Sequence, residues 1–218
     1  EKNFGHTYLT PLEEKKKNYQ YCKGAASGCV GYSTVSILAS PVLRNYQYMY
    51  AGREKRNNEN YLKQHFTLVR QNIHTLTDLL KKTMVLKDEI NYLPSDSGTL
   101  VPSRLWKVGR GRDPKLFIRE QKERQQELVV EILIDASGSQ RVRQPQVAMQ
   151  AYILTRALSN VGIAHRVTGF CTFWDYTVLQ QYRDYDDPPE ADAGILAFTS
   201  GSNNRDGLAL RAAAGDLV

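Results

Sequence analysis

The stretch Glu127–Ser139, ELVVEILIDASGS, constrains the fold more than any other part of the chain. Leu128, Val129, Val130, Ile132, Leu133 and Ile134 make a near-continuous apolar run of strand length. Such a run is typical of a strand covered on both faces, as in a parallel sheet under helices. It leads directly into Asp135, Ala136, Ser137, Gly138 and Ser139. An acid and two hydroxyls at alternate positions place three oxygens on one side of a tight loop, and Gly138 supplies the backbone freedom for the turn. Hard divalent cations take oxygen ligands, and Mg2+ commonly uses one or two carboxylates while keeping several waters. Ligands of open α/β sheets also bind beyond the carboxyl ends of the strands, where this loop lies. The plainer reading is a polar strand-to-helix turn in which Ser137 or Ser139 caps the next helix.

The residues that follow continue an α/β pattern. Val147, Ala151, Leu154, Leu158 and Val161 step by four and three, which predicts a crossover helix over 140–165 with Pro145 near its start and Gly162 past its end. RVTGFCTF (166–173) reads as a second strand and YTVLQQY (176–182) as a third, placed at a sheet edge. Cys171, in mid-strand, reads as a core residue. Asp184, Asp186, Asp187, Glu190 and Asp192 surround Pro188-Pro189. They lack the ligand spacing of an EF-hand loop and read as a solvated acidic loop. A short helical piece is expected over 193–198.

Upstream, residues 43–93 read as helical. Leu62, Phe66, Val69, Ile73, Leu76 and Leu80 form an apolar stripe at helical spacing. Pro94–Gly98 then reads as a turn. Arg110, Arg112 and Arg119 read as solvated, with pairing to an anion the alternative. Residues 1–42 carry no clear pattern; Gly24, Gly28 and Gly31 do not make a phosphate-binding loop.

Charge is uneven. Residues 1–126 hold 22 Lys and Arg against 12 Asp and Glu, whereas 127–218 hold 7 against 11. The basic part is interspersed with acids and carries no nucleic-acid motif, so a solvated helical surface or docking on an acidic protein is favoured over DNA or RNA. Three cysteines, Cys22, Cys29 and Cys171, do not make a disulfide framework and point to a reducing, cytoplasmic setting. Cys22 and Cys29, with His6 nearby, make a weak zinc pattern; free or buried thiols are the simpler reading. No stretch approaches the roughly 20 apolar residues of a membrane span, and EKNFGHTYLT lacks a signal-peptide core.

Asp135-x-Ser137-x-Ser139 after an apolar strand resembles the DxSxS signature of von Willebrand factor A (VWA) domains, where it forms a metal-ion-dependent adhesion site (MIDAS). Gly98-x-Leu100 with Ser103-Arg104-Leu105, and Lys115–Ile118 ahead of the metal strand, are similar to one group of these domains. That group holds the VWA subunit of aerobic cobaltochelatase and the nitric oxide reductase activation proteins. The resemblance implies a doubly wound, mostly parallel, Rossmann-like sheet in a VWA domain over 121–218, preceded by a largely helical basic region over 1–120. It implies further C-terminal strands beyond those the sequence holds, one carrying another metal-facing acid. It also implies a second loop in TSGSNNRDG (199–207), with Asn204 in the position of a metal-binding Thr and Asp206 as a second candidate, direct or through water. A cap for the helix opening at Leu208 is compatible with either role.

The expected metal set is therefore Asp135, Ser137, Ser139, Asn204 and Asp206, with Mg2+ or another divalent cation. The expected function is a non-enzymatic adaptor beside an AAA+ ATPase of the MoxR or chelatase type, engaging an acidic residue of a client metalloenzyme that is activated, loaded with metal or remodelled. Two alternatives stand: a nucleic-acid-associated VWA module, and a hydrolase using Ser137. The second is weak, because G-x-S-x-G is absent and His165 has no patterned carboxylate partner.

Overall fold

The apolar run folds as a strand that pairs with the next strand in the chain, and a four-stranded sheet grows from that pair. A computed structural model describes residues 3–39, 44–87, 91–109, 115–121 and 128–216. Its regular elements are α1 (Pro11–Tyr21), β1 (Val30–Val35), α2 (Tyr46–Gln64), α3 (Phe66–Lys87), β2 (Asn91–Ser95), β3 (Thr99–Leu100) and β4 (Phe117–Gln121), then β5 (Val129–Asp135), α4 (Gln144–Val161), β6 (Ala164–Phe173), β7 (Tyr176–Arg183) and α5 (Asp206–Asp216). The chain divides into two units, Glu1–Asp78 with Val129–Val218, and Leu79–Leu128.

In the larger unit the strand order is β1-β7-β6-β5. β5 runs parallel to β6, β6 antiparallel to β7, and β7 parallel to β1. Two of the sequence expectations change here. β7 is not an edge strand, because β1 from the unread N-terminal part pairs along it from Val30↔Tyr176 to Val35↔Gln181. β5 pairs on one side only among the described residues, so its apolar side chains are mostly half-buried and only Ile134 is buried.

Helices cover both faces of this sheet, as a doubly wound α/β fold requires. On one face Ile134, Val167 and Tyr182 pack with Ala148 and Ala151 of α4 and with Ile195 and Phe198. The small residues of α4 let the helix approach the strands closely. On the other, Leu179 packs with Tyr21 of α1 and with Leu208 and Ala212 of α5. Leu179 and Tyr182 lie an odd number of residues apart on β7, so the two clusters point to opposite faces. Phe198 is wholly buried, and removing a side chain of that size from water contributes about 2–3 kcal/mol.

The crossover helix has the predicted termini, with Pro145 in its first turn and Gly162 at φ 79° as its left-handed cap. α1 starts with a reciprocal capping box. Glu13 N–H donates to Thr10 Oγ1 at 3.4 Å, and Thr10 N–H donates to Glu13 Oε2 at 2.8 Å. The long helical region is two helices broken at His65, whose ring packs 4.2 Å from that of Tyr61. Val69, Ile73 and Leu76 of the predicted stripe pack with Met149 and Ile153 of α4, whereas Phe66 is 59 % exposed. Asn58 of α2 is buried and donates to Leu196 O and Phe198 O, both at 3.0 Å.

In the smaller unit the order is β2-β4-β3, all antiparallel. The helical reading of 43–93 stops short here, since Asn91–Leu93 belong to β2. Pro94, read as a turn residue, sits in β2 at the sheet edge, where its missing donor costs no ladder bond. Gly98 has φ 129°, and a Cβ there would come within 2.5 Å of Ile118 O. Arg119 is exposed on β4; Glu127, Arg110 and Arg112 lie outside the described residues. Among the described residues no helix is long and apolar enough to cross a membrane.

Candidate functional site

β5 ends at Asp135 and the backbone turns at once, which brings three oxygen-bearing side chains together. Ser137 N–H donates to Asp135 Oδ1 at 2.8 Å, and Ser137 Oγ donates to Asp135 Oδ2 at 3.0 Å. Ser137 Oγ also lies 2.8 Å from Ser139 Oγ. Burial grades outward: Ser137 is 3 % exposed, Asp135 half-buried and Ser139 exposed. The capping reading does not describe this loop. Ser137 precedes a 3-10 turn at Gly138–Arg143, yet its side chain makes no capping bond and turns to Asp135 and Ser139 instead.

A second loop is fastened to the first through backbone bonds. Gly138 N–H donates to Ser202 O at 2.7 Å, and Gly201 N–H donates to Ala136 O at 2.8 Å. Gly138 has a steric role here, since a Cβ on it would lie 3.1 Å from Ser202 O. Asn203 exchanges two backbone bonds with Thr172 near the end of β6, at 2.7 and 3.0 Å. Asn204 follows and is exposed; Asp206 opens α5 and is exposed. Among the described residues neither side chain bonds to Asp135, Ser137 or Ser139. The first loop links three of the five predicted residues through Ser137, and the second loop, bonded to the same end of the sheet, carries the other two.

Gln144 was not anticipated by the sequence reading. It is 1 % exposed and ties the Ser200 loop to α2. Its Oε1 accepts from Ser200 N–H and from Ser200 Oγ, both at 2.9 Å, while its Nε2 donates to Glu54 Oε2 at 2.8 Å. The only local signal is its place at the start of a Pro-initiated helix, which marks a helix end and not a bridge.

The acidic run is not uniformly solvated. Asp192 is 1 % exposed and accepts from Arg183 Nε at 2.9 Å, Ser159 Oγ at 2.9 Å and Arg156 at 3.1 Å. Asp184 accepts from Arg166 Nε at 3.0 Å. Arg166 also faces Glu131, whose carboxylate accepts from Tyr185 Oη at 2.6 Å and Thr168 Oγ1 at 2.9 Å. These pairs draw Asp184 and Asp192 into the fold beside the sheet, whereas Asp186 and Glu190 are exposed, as a solvated loop requires.

His165 is fully buried in β6, with Nδ1 2.8 Å from Ile163 O and no partner on Nε2 among the described residues. Its register partner is Val130, while Asp135 pairs with Phe170. Five strand residues, roughly 16 Å, therefore separate it from the level of the Asp135 loop. Ser137 has no histidine base within reach through this residue. Cys171 is packed against the main core, and burial, helped by Asp135, pushes its thiol up to about 11.

The donor set at the Asp135 loop is one carboxylate and two hydroxyls, with an Asn amide oxygen and a second carboxylate on the adjoining loop. All are hard oxygen donors, a chemistry that fits Mg2+ and similar cations and does not fit soft metals. Among the described residues no group of three or more His, Cys, Asp and Glu side chains is placed to hold a metal. A cation at this loop would therefore depend on the serine hydroxyls.

No curated protein and no solved structure matches the chain. A family model does match: that of the cobalamin biosynthesis protein CobT VWA domain, over residues 116–185. The matched stretch takes in β5, the Asp135 loop, α4, β6 and β7, and ends before Asn204 and Asp206. Over those residues the chain is similar to the CobT VWA domain, and its mixed α/β sheet with helices on both faces is the fold that such a domain implies.

Proposed function

We propose that this protein is a non-catalytic, metal-dependent adaptor of a chelatase-like complex, acting in the cytoplasm beside an AAA+ ATPase of the MoxR or chelatase type. The observation that carries the reading is the convergence of Asp135, Ser137 and Ser139 at the end of β5, within a stretch similar to the CobT VWA domain. Asp135 would supply the charged ligand and Ser137 and Ser139 the hydroxyl ligands, with Asn204 and Asp206 contributing from the second loop, directly or through water. A bound Mg2+ would supply a positive centre able to take one more oxygen from outside. Ser137 is held from within by Asp135 and is nearly sealed, so it orients the set. Ser139 is exposed and marks the side from which a client carboxylate approaches. The client would be a metalloenzyme being activated, loaded with metal or remodelled.

The test is co-purification of the tagged chain with the chelatase-type ATPase of its own organism, in Mg2+ and in EDTA. Complex formation in Mg2+, lost in EDTA and lost in Asp135→Ala, is the expected result. A complex indifferent to both overturns the reading.

A further inference from the structure

The 3-10 turn Gly138–Arg143 leaves the candidate site directly and carries three exposed side chains that the proposed metal chemistry does not use. A 3-10 helix repeats every three residues, so Ser139 and Val142 lie on one face of it. Val142 is 89 % exposed. Arg141 and Arg143 flank it and are exposed. Among the described residues neither arginine makes an ion pair. Arg141 acts electrostatically on Tyr50 of α2, whose ring stacks with the exposed ring of Tyr46 at 6.5 Å. α2 is held there by the Glu54–Gln144 bond. The turn that leaves the oxygen cluster thus carries a strip of one apolar knob between two cations that are unpaired among the described residues, with Tyr50 of α2 within electrostatic reach of Arg141.

We infer that this strip reads an extended acidic segment of a partner protein. One carboxylate reaches the Ser139 side of the site, the next apolar side chain lies on Val142, and flanking carboxylates meet Arg141 and Arg143. The inference rests on the metal-dependent reading above and adds the residues that choose among partners. Charge complementarity favours this occupant: the arginines present two guanidiniums suited to carboxylates. Exposed charges of this kind set encounter rate and partner choice more than raw affinity.

The experiment uses two fluorescein-labelled peptides with the cores Glu-Asp-Leu-Glu and Gln-Asp-Leu-Gln, and a single-stranded oligonucleotide, each titrated by anisotropy in Mg2+ at low salt. The wild-type protein is expected to bind the acidic core about tenfold more tightly than the neutral-flanked core. Arg141→Gln/Arg143→Gln, checked by circular dichroism, is expected to lose that preference, and Arg141→Lys/Arg143→Lys to keep most of it. Asp135→Ala is expected to bind neither peptide. Equal or absent binding of the two peptides by the wild-type protein overturns the inference, as does a preference that survives in the Gln variant. If Asp135→Ala still abolishes Mg2+-dependent binding in that case, the metal reading stands while the strip's role falls. If Asp135→Ala binds as the wild type does, the metal reading itself falls. Tighter, Mg2+-independent binding of the oligonucleotide assigns the strip to nucleic acid and also overturns the inference.

Discussion

Ser200 donates twice to Gln144, through its amide and its hydroxyl, and both bonds end on the same Oε1 at 2.9 Å. This pairing fastens the loop that leads to Asn204 onto the first residue of the crossover helix. Gln144 is almost fully buried, so Gln144→Ala leaves the Ser200 donors and Glu54 without their partner. Stranding buried polar groups costs about 1–3 kcal/mol. Urea unfolding should show a loss in that range, and Gln144→Glu should be no better, because it sets a second carboxylate against Glu54.

Asp192 and Arg183 of β7 form a buried ion pair, with side chains 1 % and 6 % exposed. Asp192→Ala leaves Arg183 charged and uncompensated, and Arg156 and Ser159 lose the same acceptor. Breaking a buried pair from one side costs about 3–5 kcal/mol. Replacing both partners, as Arg183→Met/Asp192→Leu, should recover part of that loss. Denaturant midpoints of the single and double variants check this directly, and a single variant as stable as the wild type would show that Asp192 is not an anchor.

His165 should make stability depend on pH. Burial drives its pKa below the usual value of about 6.5, and Arg183 pushes the same way, while its bond to Ile163 O and the charge of Asp192 oppose them. The folded protein therefore keeps the ring neutral while the unfolded chain protonates it. Stability from this group is fully present above about pH 6.5 and falls as pH drops from there toward the depressed folded value. Asp184, whose pKa is also lowered, adds its own loss only below about pH 4. His165→Phe should flatten the slope of unfolding free energy between about pH 7.5 and about pH 5, measured by urea titration at each pH.

The parts of the fold visible in the sequence are those governed by local pattern. The Leu128–Ile134 run, the α4 stripe with its Pro145 and Gly162 punctuation, and the two strands after it each follow from neighbours in the chain. The Asp135-x-Ser137-x-Ser139 spacing was visible for the same reason, since a single turn sets where its oxygens go. β1 was not visible, because its partner, Tyr176–Gln181, lies far downstream and a parallel pairing leaves no turn signal. Asp192 read as solvent-facing because its cations, Arg156 and Arg183, come from separate elements. The break at His65 fell inside a continuous helical pattern, so periodicity ran through it. Gln144 is polar, and nothing in its flanking residues says that it would be buried between two loops and a helix.

The proposed adaptor role requires the Asp135 loop to bind a divalent cation through Asp135, Ser137 and Ser139. Isothermal titration of Mg2+, with Mn2+ as a second probe, into the wild-type protein and Asp135→Ala tests it most directly. Saturable binding of one cation by the wild type, a matching rise in Tm with cation concentration, and loss of both in a folded Asp135→Ala are expected. Equal binding by the two proteins, or no binding by the wild type, would contradict it.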